Sequence, residues 1–267
     1  MKDQNKKPFF SIITVVFNGE NYLEETIKSV INQGYKNFEY IIIDGGSTDG
    51  TQEIIKKYEN KIDYWVSEKD KGIYDAMNKG LKVANGQVVN MMNCGDFFAN
   101  NKVLEKVFKI FDKNNPDFVL GRSRFINNDG SDYCIKKNKI VLTSLKAGRF
   151  NTISHQAFFV RKEIHDKMGF YDVSYRLAAD GKFMYSLYYN KKIKRKLLDE
   201  ILAVRRREGA GSSIDTILEH KRMYDEVFGK SIMNNLLIFK YHLKKNRAGK
   251  LIYNFYEKIK NTAWSPK

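Results

Sequence analysis

Over its first hundred residues the chain alternates four β-rich apolar runs with three stretches of helical periodicity. Phe10–Val16 is the first run, and Tyr22, Leu23, Ile27, Val30 and Ile31 then recur at helical spacing. Phe38–Ile43 is the second run and ends at Asp44-Gly45-Gly46. Ser47 or Thr48 is placed to cap a helix running through Lys57, with Asp49 in its first turn. Ile62–Val66 reads as the third strand, Ile73–Val83 as a helix closed by Asn85-Gly86, and Val88–Met92 as the fourth strand. Strands separated by helices of this length demand right-handed crossovers and a mostly parallel sheet, so the expected class is α/β. Such sheets bind ligands in the crevice beyond the carboxyl ends of their strands. The polar residues suited to chemistry stand at those ends: Phe17-Asn18, Asp44, Glu68-Asp70-Lys71 and Asp96.

Beyond residue 115 the pattern is less regular. Short runs at Asp117–Leu120 and Ala157–Val160 mix with turns, and helices are expected at Gly181–Tyr189, Ile214–Phe228, Ser231–Leu243 and Lys250–Lys260. The boundary this suggests is 1–213 for a catalytic domain and 214–267 for a helical extension. With 42% apolar and 13% aromatic residues and 3 prolines in 267 there is ample core material and little sign of disorder. The net charge of +16 is uneven: 27 basic against 23 acidic side chains up to residue 180, and 20 against 8 beyond it. That points to one cationic face in the last third rather than a nucleic-acid surface over the whole chain. Cys94 and Cys134 form no CxxC pair, which fits a reducing compartment and excludes a thiolate zinc site. The polar start, Met1 to Pro8, is not a signal peptide, and no run of about 18 apolar residues occurs. The expected location is cytoplasmic.

The first strand is followed by neither GxGxxG nor GxxxxGK[ST]. The junction Thr14 to Glu20 offers an aromatic ring and backbone groups instead of a glycine cradle. Phe17 could stack on a base, Asp44 could accept a base N–H, and Asp96 could hold Mg²⁺ or Mn²⁺ against a diphosphate.

At these residues the chain resembles a known family. The segment SIITVVFNGENYLEETIKSVINQGYKNFEYIIIDGGSTDGT, then EKDKGIYDAMNKGLKVANG and MMNCGDFF, is similar to family 2 glycosyltransferases of GT-A fold, and to bacterial surface-polysaccharide transferases among them. ISHQAFFVRK and YRLAADGKF extend the likeness to about residue 210. The resemblance implies a UDP-sugar donor and a nucleotide-binding set of Val15, Phe17, Asp44, Lys71, Gly72, Asp96 and Arg205. It implies metal held at Asp96 and Asp180 as the catalytic base. Asn93-Cys94-Gly95-Asp96 keeps one carboxylate where many relatives have two or three, so metal binding without donor should be weak.

The chemistry follows. A sugar hydroxyl is a poor nucleophile, so a carboxylate takes its proton as it attacks the anomeric carbon. The leaving nucleoside diphosphate gains charge that a metal offsets. One in-line displacement inverts the anomeric centre, and no second carboxylate nucleophile is required. Plain structural readings stand beside each residue: Asp44 or Asp96 as a helix cap, Asp180 as a first-turn helix charge, Phe17 as core, His155 as a hydrogen-bonded structural imidazole, Arg205-Arg206-Arg207 as solvated charge. A catalytically silent scaffold is the competing function. From Gly229 to Lys267 nine basic residues face a single acid, Glu257, with apolar residues at helical spacing. That segment is expected to meet an anionic membrane surface, where a lipid-linked saccharide acceptor would lie, or else a second subunit.

Overall fold

The computed structural model describes residues 7–134, 154–206 and 214–229, which fall into two units: the first two stretches make up one and the last belongs to the other. In the larger unit the four expected strands form as β1 (Phe10–Val16), β2 (Phe38–Asp44), β3 (Tyr64–Ser67) and β4 (Val88–Met91). All pair in parallel, with β1 central between β2 and β4. The helices α1 (Leu23–Ile31), α2 (Thr51–Lys57) and α3 (Ile73–Val83) connect them. The chain then adds β5 (Phe97–Phe98), α4 (Val103–Asn114), β6 (Phe118–Ile126) and β7 (Asp132–Cys134). After a 3-10 turn at His155–Ala157 come β8 (Phe158–Arg161), α5 (Lys162–Met168), α6 (Ala179–Tyr189) and β9 (Arg195–Arg206). Among the described residues the sheet has nine strands, in the order β3-β2-β1-β4-β8-β6-β9-β5, with β7 on β6.

Strands covered on both faces read as almost unbroken apolar runs, and β1 is buried throughout. On one face Phe10, Ile12 and Val16 meet Leu23, Ile27 and Val30 of α1 and Val103, Leu104, Val107 and Phe111 of α4 in one core. On the other, α3 lies close enough that a Cβ at Gly80 would sit 2.5 Å from Ile13 Cγ2. Glycine is what lets that helix approach.

The second half is mixed, as the sequence suggested: β8 runs antiparallel to both β4 and β6, while β9 runs parallel to β6. Two local expectations are corrected. Neither Ser47 nor Thr48 caps α2; Gly50 takes that place, while Asp49 accepts from Thr51 N at 3.0 Å and Thr51 Oγ1. Asp180 lies inside α6 in its first turn, because the helix begins at Ala179 rather than Gly181. The smaller unit contains α7 (Ile214–Phe228), with Met223 and Tyr224 buried. The basic segment beyond Gly229 lies outside the described residues. No helix among the described residues is long and apolar enough to cross a membrane.

One packing feature carries a pH signature. His165 of α5 is buried and stacks on Phe183 of α6, centroids 4.2 Å apart and planes 5° from parallel. Burial pushes its imidazole from 6.5 down to about 4. The unfolded chain therefore takes up a proton at this ring before the folded chain does. Its contribution is complete above pH 6.5 and declines as pH falls toward 4, by on the order of 3 kcal/mol. Denaturant midpoints should fall between about pH 7 and about pH 4.5, and fall less in His165→Phe, which keeps the ring stack without the proton. Equal slopes in both proteins would refute the assignment.

Candidate active site

Parallel register brings the strand ends together. Val16 pairs with Asp44 across β1–β2, and Asp44 pairs with Ser67 across β2–β3. Asp44 is fully buried, and its carboxylate accepts from Ser47 N at 3.1 and 3.2 Å, from Ser47 Oγ at 2.5 Å and from Ser67 Oγ at 2.5 Å. Ser47 Oγ in turn accepts from Asn18 N at 2.8 Å. The chain of bonds ends one residue past Phe17, whose ring is 64% exposed and hence not core. Asp44 thus fixes the loop that presents the ring, and touching a base directly requires Ser47 or Ser67 to release it. Val15 is buried, its carbonyl accepting from Cys94 N at 3.2 Å.

Lys71 and Gly72 follow β3 as expected. Gly72 has φ +117°, a conformation that favours glycine, and it stands at the N-terminus of α3 with its N–H on Asp70 Oδ1 at 2.8 Å. Lys71 is exposed, and its backbone N–H donates to Asp75 Oδ2 at 3.1 Å. Asp70 is a residue the sequence reading mentioned and left without a role. A Cβ on Gly45 would collide with Asp70 Oδ2 and lie 3.5 Å from the Phe17 ring, so this carboxylate flanks the exposed aromatic.

Asp96 follows the fourth strand, which continues along β1 through Met92 N to Ile13 O at 2.8 Å. Pairing of Phe97 with Val204 brings the end of β9 beside it, and Arg206 N donates to Asp96 Oδ1 at 3.2 Å. Gln156 Nε2 donates to Oδ2. Burial pushes the Asp96 carboxyl up, and the charges of Arg205 and His155 counter that in part. Asp96 does not cap α4, whose N-cap is Lys102; Gln33 Oε1 accepts from Leu104 N of its first turn at 3.1 Å. Arg205 and Arg206 end strand β9 and are not plain solvated charge. Arg206 is committed to Glu25, to Asn128 O at 3.1 Å and to the Tyr22 ring at 4.9 Å. Arg205 lies 5.2 Å from the Phe125 ring centre, and its Nε is buried without a hydrogen bond. Arg207 lies outside the described residues.

Asp180 accepts from Tyr74 Oη at 2.8 Å on one oxygen and meets His155 Nδ1 at 2.7 Å on the other. Burial pushes its pKa up, but the hydrogen bond and charge of His155, with Tyr74 adding to them, hold it down at about 2. Tyr74 sits in the first turn of α3, so the helix that starts at Gly72 also reaches the catalytic candidate. The 3-10 turn carrying His155 and Gln156 hangs from Asn90, a buried amide inside β4, which donates to Gln156 O at 3.1 Å and Phe158 O at 3.0 Å.

The oxygens here suit a divalent cation in part. Among the described residues no three His, Cys, Asp or Glu converge on one point. Asp96 supplies one carboxylate, and Asn93 Oδ1, in the position read as a lost acid, is buried without a hydrogen bond. Each is a hard donor of the kind Mg²⁺ and Mn²⁺ take, and a cation at Asp96 would draw most of its ligands from a bound diphosphate.

Known proteins share this fold. Residues 11–172 match the family model described as glycosyl transferase family 2. An uncharacterized glycosyltransferase of Mycobacterium tuberculosis is 33% identical over 181 residues, covering 66% of this chain and 68% of its own. TuaG of Bacillus subtilis, named for teichuronic acid biosynthesis, is 34% identical over 131 residues, 48% of this chain and 51% of its own. Among solved structures, residues 1–349 of S. aureus TarS with UDP-GlcNAc superpose at a TM-score of 0.65 and 21% identity, covering 89% of this chain and 73% of that one. The mannosyltransferase PcManGT of Pyrobaculum calidifontis, with GDP-Man and Mn²⁺, superposes at 0.66 and 14% identity, covering 98% and 77%. The fold is therefore the GT-A fold, and the chain belongs to glycosyl transferase family 2.

Proposed function

We propose that this glycosyltransferase moves a sugar from a UDP-sugar to a hydroxyl of a lipid-linked saccharide in surface-polysaccharide synthesis, with inversion at the anomeric carbon. The observation that carries the reading is that two adjoining residues of one turn, His155 and Gln156, hold two separate acids, Asp180 and Asp96. Phe17 stacks on the base in a loop held by Asp44. Lys71 and the Gly72 backbone flank the nucleotide, and Arg205, with no hydrogen bond at its buried Nε, faces the diphosphate charge. Asp180 takes the acceptor proton, its low pKa keeping it ionised across the physiological range. A divalent ion, held by Asp96 and Asn93 together with the donor, supplies charge neutralisation for the leaving diphosphate. The TarS complex and the teichuronic acid relative support the choice of donor and product class.

The C-terminal basic segment is proposed to dock on anionic lipid, which confines enzyme and acceptor to one surface. Liposome pelleting should need anionic lipid, fall with salt and disappear on truncation after Phe228. Equal pelleting by the truncated protein would place the contact elsewhere.

Asp180→Asn should abolish transfer while UDP binding stays within about three-fold of the parent, since a lost base removes transition-state help and not nucleotide contacts. Retention of most of the transfer rate would put the base elsewhere. Asp96→Ala should weaken UDP binding and remove its Mn²⁺ dependence in calorimetry, and EDTA should inactivate the parent enzyme. Full UDP release in EDTA would shift charge neutralisation to Arg205 and Lys71.

A further inference from the structure

His155 and Gln156 are adjacent on one short turn, and each holds a different acid. His155 Nδ1 is 2.7 Å from Asp180 Oδ2, and Gln156 Nε2 donates to Asp96 Oδ2. The turn itself is anchored at several points. Asn90 holds it from β4 through the carbonyls of Gln156 and Phe158, at 3.1 and 3.0 Å. Ser154 Oγ donates to Gln156 Oε1 at 2.6 Å and is itself met by Ser123 Oγ of β6 at 2.9 Å. With its carbonyl end occupied by a hydroxyl, the Gln156 amide presents its NH₂ to Asp96 and not its oxygen. All five side chains of this network, Asn90, Ser123, Ser154, His155 and Gln156, are buried. Buried polar groups carry a desolvation cost that an apolar core would avoid, and here the network ends on two acids of the site.

We propose that the Ser154–Gln156 turn is a two-armed positioning device that sets the catalytic base and the metal-binding acid relative to each other: His155 orients Asp180, and Gln156 orients Asp96. The inference rests on the roles given to the two acids above. The arms separate the two halves of the reaction. Removing the His155 arm misaims the base, which acts only in the transition state; removing the Gln156 arm loosens the acid that meets metal and diphosphate in the ground state.

Four variants test this, with thermal melting as the check on folding. His155→Ala should lower kcat about 100-fold with donor KM within about three-fold. His155→Asn, whose amide can donate in place of Nδ1, should recover at least about ten-fold of that loss. Gln156→Leu should raise the Mn²⁺ concentration needed for tight UDP binding by about 10- to 100-fold, read by calorimetry without turnover, with kcat at saturating metal little changed. Asp180→Asn, run in parallel, separates the two levels of inference. If it keeps transfer activity, the base assignment fails. If it is inactive while His155→Ala transfers at the parent rate, the positioning role fails. Folded His155→Asn as slow as His155→Ala would overturn the hydrogen-bond arm. An unchanged UDP–Mn²⁺ affinity in Gln156→Leu would overturn the other. Should His155→Ala fail to fold, His155→Asn alone still decides the first arm: high kcat supports it and low kcat in a folded protein refutes it.

Discussion

Parallel pairing of β1 with β2 on one side and β4 on the other is the constraint on which the site depends. Parallel strands leave all their carboxyl ends at one edge, so three loops that are distant in sequence open onto the same crevice. The register sets which residues meet there. Val16 lies beside Asp44, and the continuation of β4 past Met91 carries Cys94 to Val15. A slip of one residue on β2 would turn Asp44 to the opposite face and break its bond to Ser67. The apolar side chains of β1, packed on both faces, prevent that slip.

The cost of the arrangement is electrostatic. Asp44 and Asp96 are buried, Asp180 is mostly so, and an isolated carboxylate in such surroundings would take up a proton. Each is handled differently. Asp44 is satisfied by two serine hydroxyls and a backbone N–H. Asp180 is held ionised by His155 and Tyr74. Asp96 is met by one amide, one backbone N–H and the field of Arg205, and burial still pushes its carboxyl up. It is also the acid with most to gain from a cation, which fits its place in the proposed metal site.

How much of this was legible beforehand follows from what kind of signal each part sends. β1 and α3 were readable to the residue because periodicity and flanking glycines are local. The acids at strand ends were readable because the α/β pattern says where a site must be. Asn90, Ser123 and Ser154 sent no such signal. A buried asparagine inside β4 looks in sequence like an interruption of a strand, and its purpose appears only when β8 and the preceding turn are seen across from it. The partners of Arg206, Glu25 and Tyr22, were not foreseeable for the related reason that they are some 180 residues away in sequence. Non-local polar pairing leaves no period behind. Asn93 was read for the carboxylate it lacks, and its carbonyl oxygen was passed over.

The two halves of the fold divide the work. The parallel half supplies Phe17, the Asp44 loop and Gly72, held by backbone register and a continuous core. The mixed half supplies Asp180, His155, Gln156 and the end of β9, held by side-chain hydrogen bonds between elements. Backbone register tolerates side-chain change, whereas a hydrogen-bond network fails if one member is lost. Exposed positions such as Phe17 can therefore vary without loss of fold. The Ser154–Gln156 turn cannot vary without moving an acid.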